Sequence, residues 1–129
     1  MTSLKLMNLD DLIETEEHYN DDCMFLAKKI KKENYWTVPI VIEVNTNAIM
    51  DGHHRFNAAK KLGLSRVPCV VKDYKKNDVK LFSWKKDIKI TYWDIYNIIK
   101  NKKKFPPKTT RHVFNPPIKE TKIPLELLY

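Results

Sequence analysis

The chain has 129 residues, 43% of them apolar, and a formal charge of +8. That length allows one hydrophobic core and not two ordinary domains, and the composition excludes a disordered chain. No run approaches the roughly 18 uninterrupted apolar residues that cross a bilayer, and residues 1–11 lack the basic and apolar regions of a signal peptide, so no membrane contact and a cytoplasmic location are expected.

Charge is unevenly spread. Residues 1–22 carry one Lys against seven acids, whereas residues 100–129 carry eight Lys and Arg against two acids. A basic tail fits a nucleic acid and a phosphate-bearing substrate equally well. Cys23 falls in a helical pattern and Cys69 in a strand pattern, so both read as buried small hydrophobes and not as a disulfide pair.

Taken in chain order, residues 20–32 read as a helix, with Asn20 as N-cap, Asp21 and Asp22 at the positive end of its dipole and lysines at the other. Cys23, Leu26, Ala27 and Ile30 share one face, which should pack inward. Residues 38–44 are β-branched and read as a strand, residues 45–47 as a turn, and residues 48–50 as a short partner strand. A helix over 54–62 follows, with Gly63 placed for a left-handed cap. Residues 67–71 and 79–84 are further strands, and Thr91 to Asp94 resembles a capping box opening a helix that runs to about 101. The last 25 residues hold five prolines and should form an extended tail over the domain. The expected class is α+β, one domain with a core over about 6–90 and a helix and tail over 91–129.

The segment Asp51-Gly52-His53-His54-Arg55 lies where a strand ends and a helix begins. First-turn N–H groups of a helix have no intrahelical partners and carry the positive end of its dipole, so a phosphate fits there. Gly52 lets an oxygen approach the backbone, and Arg55 offers a planar fork for two phosphate oxygens. His53 and His54 add donors, and Asp51 is able to bind a divalent cation or orient a hydroxyl. Two plainer readings compete: Asp-Gly is a common hairpin signal, and His53 could serve as a simple cap. A zinc site is weakly indicated, because adjacent histidines point apart and no other ligand stands at a suitable spacing.

This turn, with Ala58-Ala59-Lys60-Lys61-Leu62-Gly63 and Val67-Pro68 after it, resembles the core of the ParB/sulfiredoxin-like superfamily over about residues 6–73. The resemblance implies a mixed sheet with flanking helices and a turn, Gly52 to Arg55, that binds nucleotide phosphates. Sulfiredoxins carry a catalytic cysteine in this turn, where His53 and His54 stand here, and partitioning proteins append a helix-turn-helix for which the chain has no room. The branch most similar is the free L-serine kinase. Phe105-Pro106-Pro107-Lys108-Thr109-Thr110-Arg111-His112 resembles its C-terminal motif, and Leu81-Phe82-Ser83-Trp84 its strand beside the substrate.

What that resemblance implies is ATP or ADP as phosphoryl donor with Mg2+, and L-serine converted to O-phosphoserine. Glu16 would be the base, with Glu14 and Glu17 as neighbouring alternatives, and Asp51 would engage magnesium or the hydroxyl. Lys108, Thr109, Thr110, Arg111 and His112 would hold the acceptor, with Trp84 as an apolar wall. The rival reading is a nucleotide-sensing DNA-binding regulator, which would show the same core and the same basic tail.

Overall fold

The computed structural model describes residues 4–76 and 78–129. Strands and helices alternate without a regular repeat, so the α+β expectation holds. The central sheet consists of β1 (Leu4–Asn8), β3 (Ile40–Glu43), β4 (Ile49–Asp51) and β5 (Arg66–Lys72), in the order β1-β5-β3-β4. β3 runs parallel to β5, while β1 and β4 are antiparallel to their neighbours, which makes the sheet mixed.

Side chains alternate across a strand, and here both faces are covered. Ile40, Ile42 and Ile49 face a core completed by Ala27 and Ile30 of α1 (Asn20–Glu33) and by Phe56, Ala58 and Ala59 of α2 (His53–Leu62). Val41 and Met50 point the other way, against Val79 and Phe114. A strand buried on both sides must be apolar throughout, which is why residues 40–42 show no alternation in the sequence.

Several boundaries move. Asn20 is the first helical residue of α1 and not its cap; Tyr19 occupies that position and its carbonyl accepts the Cys23 N–H at 3.1 Å. The predicted strand over 38–44 shortens to Ile40–Glu43, since Pro39 has no N–H to give to a ladder. α2 starts one residue early, at His53, and closes on Gly63 at φ 75 as expected. Cys23 and Cys69 are free and buried, and burial pushes the Cys69 thiol up to about 12.

On the far face of the sheet, β6 (Val79–Ser83) pairs antiparallel with β7 (Thr110–Phe114). Between them runs α3 (Tyr92–Lys100), where the Thr91 N–H donates to the Asp94 carboxylate at 2.8 Å, the capping box read from the sequence. The tail is more structured than an extended wrap. It supplies β7, then β8 (Ile123–Pro124), which pairs with β2 (Tyr35–Trp36), and a closing 3-10 turn at Leu125–Leu127. Leu125 and Leu128 enter the same core as α1 and α2.

Candidate functional site

The turn from β4 into α2 has the local geometry that its sequence requires. Gly52 sits at φ +111, and a Cβ there would stand 3.1 Å from the Ile40 side chain. The first α2 bond runs from the Phe56 N–H to the Gly52 carbonyl at 2.8 Å, which leaves the His53, His54 and Arg55 N–H groups outside the helical ladder. They border a cavity of about 250 Å3 whose wall includes Glu16, Leu26, Met50, Asp51, Arg55, Trp84, Lys108 and Thr110. A larger cavity of about 430 Å3, by Leu4, Pro39, Val70 and Ile118, is mostly apolar and gathers no comparable set of polar groups. Chemistry, not size, selects the first.

Of the three candidate glutamates, Glu16 alone lines this cavity. Glu14 is committed elsewhere: it accepts from Asn57 Nδ2 at 2.7 Å and Lys104 Nζ at 3.1 Å, with Lys60 Nζ at 3.7 Å. Although burial raises its pKa, those donors and cations outweigh it and hold the carboxyl below its usual range. Glu17 is exposed. Glu16 is buried, and Thr110 donates to its Oε1 through both N–H and Oγ1.

The two histidines do something the sequence does not announce. His53 Nε2 accepts the N–H groups of Thr15 at 3.1 Å and Glu16 at 3.2 Å. An acceptor at Nε2 puts the ring proton on Nδ1 and leaves the imidazole neutral, and burial pushes its pKa down to about 3. His54 Nε2 likewise accepts the Tyr19 N–H at 3.0 Å, and the two rings stack at 5.9 Å. Burial lowers the His54 pKa as well, against the pull of Asp22. The pair therefore fastens segment 15–19, which carries Glu16, onto the first turn of α2. The fixed positive charge on the cavity wall comes from Arg55 and Lys108.

Asp51 is open to solvent by area, yet the dense wall around its carboxyl raises its pKa, against the pull of Arg55 and the Gly52 N–H. Among the described residues, no group of three or more His, Cys, Asp or Glu side chains is arranged to hold a metal on its own.

The tail motif divides. Lys108 and Thr110 reach the cavity, with Trp84 opposite. Lys108 Nζ also lies 5.7 Å from the centre of the Tyr19 ring. Thr109 turns away and donates to the Pro106 carbonyl at 2.7 Å. Arg111 projects from the outer face of β7, its guanidinium 5.1 Å from the Trp84 ring. His112 points inward, where Nε2 meets the Tyr74 hydroxyl at 2.7 Å and burial pushes its pKa down to about 4. Thr109, Arg111 and His112 are thus neighbours of the cavity and not part of its wall. Leu26 and Met50 also line the cavity, and the sequence missed them because their apolar character marked only the inner face of a helix and a short strand.

Known proteins agree with this architecture. The model of the ParB N-terminal domain matches residues 7–83. A relative named ATP-dependent L-serine kinase, from Desulfurococcus mucosus, is 39% identical over 83 residues, covering 61% of this chain and 32% of that protein. One named ADP-dependent L-serine kinase, from Thermococcus kodakarensis, is 50% identical over 36 residues, covering 28% of this chain and 15% of that protein. The chain spans about a third or less of the length of these curated relatives. A solved free serine kinase in complex with AMP superposes with a TM-score of 0.86 at 17% identity, over 98% of this chain and 93% of that one. That likeness extends the shared fold through the tail. With its β4–α2 turn inside a match that spans well over half its length, the chain belongs to the ParB N-terminal domain family and has the ParB/sulfiredoxin-like fold.

Proposed function

We propose that the protein is a nucleotide-dependent kinase that phosphorylates free L-serine to O-phosphoserine. The observation that carries this reading is that Glu16 and the turn 51–55 line one cavity, where a carboxylate and the open N–H groups of a helix start come together. The activity named for the relatives supports it, with ATP or ADP as donor. A volume of about 250 Å3 lies below the ~300–1,000 Å3 of usual ligand pockets. It suits a terminal phosphate and a small amino acid, with the nucleoside lying outside.

Phosphoryl transfer needs charge neutralisation and in-line placement more than covalent chemistry. The His53, His54 and Arg55 N–H groups and the Arg55 guanidinium bind the donor phosphates. Serine is held by Lys108 against Trp84, and its hydroxyl proton passes to Glu16. The serine Oγ–P bond forms as the bridging P–O bond breaks, and that bond's electron pair leaves on the nucleotide, giving ADP from ATP or AMP from ADP. Asp51 would hold a Mg2+ ion carried in with the phosphates, and the ion would offset their charge.

The test is to incubate the protein with magnesium, L-serine and either ATP or ADP and look for O-phosphoserine. Serine-dependent product formation is expected. Absence of product with both donors, together with DNA binding that weakens steeply with salt, would replace the kinase by a regulator.

A further inference from the structure

Glu16 is held from several directions, and the contact that reaches its carboxylate comes from the tail. Its backbone is bracketed by Phe105, whose N–H donates to the Thr15 carbonyl and whose carbonyl accepts the Glu17 N–H, each at 2.8 Å. His53 takes the Glu16 N–H itself. What remains free after these bonds is the side chain. There Thr110, 94 residues away, donates both its N–H and its hydroxyl to Oε1. Oε2 accepts no hydrogen bond from any described residue, yet it is not a sealed orphan in the interior, and Glu16 lines the cavity.

We propose that Thr110 is a positioning residue that fixes the Glu16 carboxylate with Oε2 toward the acceptor, rather than a contact for the substrate. The proposal rests on the kinase reading and assigns a different task to one member of the tail motif. Two donors on one carboxylate oxygen fix the χ3 torsion, which is otherwise broad for Glu. Thr110 is itself anchored by register, as the partner of Ser83 at the end of the β6–β7 pair. The tail thereby links the acceptor side of the cavity, at Lys108 and Trp84, to the orientation of the base. A carboxylate free to turn would spend part of its time with no oxygen aimed at the serine hydroxyl. Orientation losses of that kind reduce turnover without weakening binding.

Thr110→Val keeps the side-chain shape and the backbone N–H and deletes the hydroxyl. Its kcat should fall on the order of 10–100-fold, with the KM for serine changed by less than about twofold, and Thr110→Ser should recover most of the loss. A KM that rises while kcat is kept would make Thr110 a substrate contact. Failure of Thr110→Ser to recover the loss would reduce the effect to packing. Either outcome overturns the proposal. A second measurement needs no turnover, so it separates this inference from the kinase reading. The Thr110 amide proton, donated to a carboxylate, should resonate far downfield and move upfield in Glu16→Gln, with or without L-serine. An amide resonance indifferent to that substitution, or one that loses its downfield position when serine binds, would sink the proposal even in an active enzyme.

Discussion

His53 accepts the backbone N–H of Glu16 at 3.2 Å, so the first residue of α2 fixes the segment that carries the candidate base. This contact needs a neutral ring, and the need has a pH signature. Burial lowers the folded-state pKa to about 3 from an ordinary 6.5. Between those values the unfolded chain binds a proton that the folded chain refuses. Stability is therefore full above about pH 6.5 and declines as pH falls toward 3. For one such group the loss between pH 7 and 5 amounts to about 2 kcal/mol. His112, held down at about 4 by burial, acts with the same sign. Urea unfolding at the two pH values should show the decline, and His53→Gln should make it shallower. An equal slope in the variant would mean that His53 is not kept neutral.

Gly52 and Gly63 form an internal comparison. Both have positive φ, but an added Cβ at Gly52 would press on Ile40, whereas at Gly63 nothing lies within 4 Å. Gly63→Ala should cost about 1–2 kcal/mol, the left-handed penalty alone, and leave nucleotide affinity unchanged. Gly52→Ala should cost more stability and also displace the phosphate-facing N–H groups. Calorimetric titration with ATP or ADP measures the affinity, and wild-type binding by a folded Gly52→Ala protein would count against the cradle.

Arg55 is the positive side chain of the turn itself, and partial burial lowers its pKa against the pull of Asp51. Its removal should weaken nucleotide binding by about 1.5–3 kcal/mol, the scale of a charge-assisted hydrogen bond. Arg55→Ala with unchanged affinity would remove the guanidinium from the phosphate site.

The β4–α2 turn was legible in the sequence because a strand, a glycine and a helix start have local signals, and Gly52 behaves as its position demands. β3, β4 and β5 were legible for the same reason, apart from ends governed by Pro39 and by pairing, whereas no strand was predicted over β1. β7 was not, because the prolines around it outweighed the β-forming Thr110, Val113 and Phe114, and its partner β6 lies a helix away in sequence. The histidine acceptors were hidden for a related reason. That His53 serves Thr15 and Glu16 depends on a contact across nearly 40 residues, and no local pattern encodes which ring nitrogen is free. Thr110 looked like one more polar donor until β7 set it against Glu16.

Glu16 should act in the chemical step and not in binding. Serine's hydroxyl is a weak nucleophile near neutral pH, and a carboxylate placed to take its proton contributes about 10²–10⁴-fold. Glu16→Gln preserves the side-chain shape and keeps an oxygen for the Thr110 donors, but it loses the ability to accept the proton. The expected result is a kcat reduced by about 10²–10⁴-fold with both substrates still bound, the pattern of an interaction made only in the transition state. Two neighbours serve as controls with different expectations. Glu17→Gln changes an exposed side chain and should be nearly silent. Glu14→Gln disturbs the contacts to Asn57, Lys60 and Lys104, so it should cost stability and spare kcat. Steady-state kinetics with O-phosphoserine detection, paired with thermal unfolding, separates the three. If all three variants kept the wild-type kcat, no glutamate in this segment would be the base, and Asp51, whose raised pKa and place on the same wall make it the remaining carboxylate, would take that role.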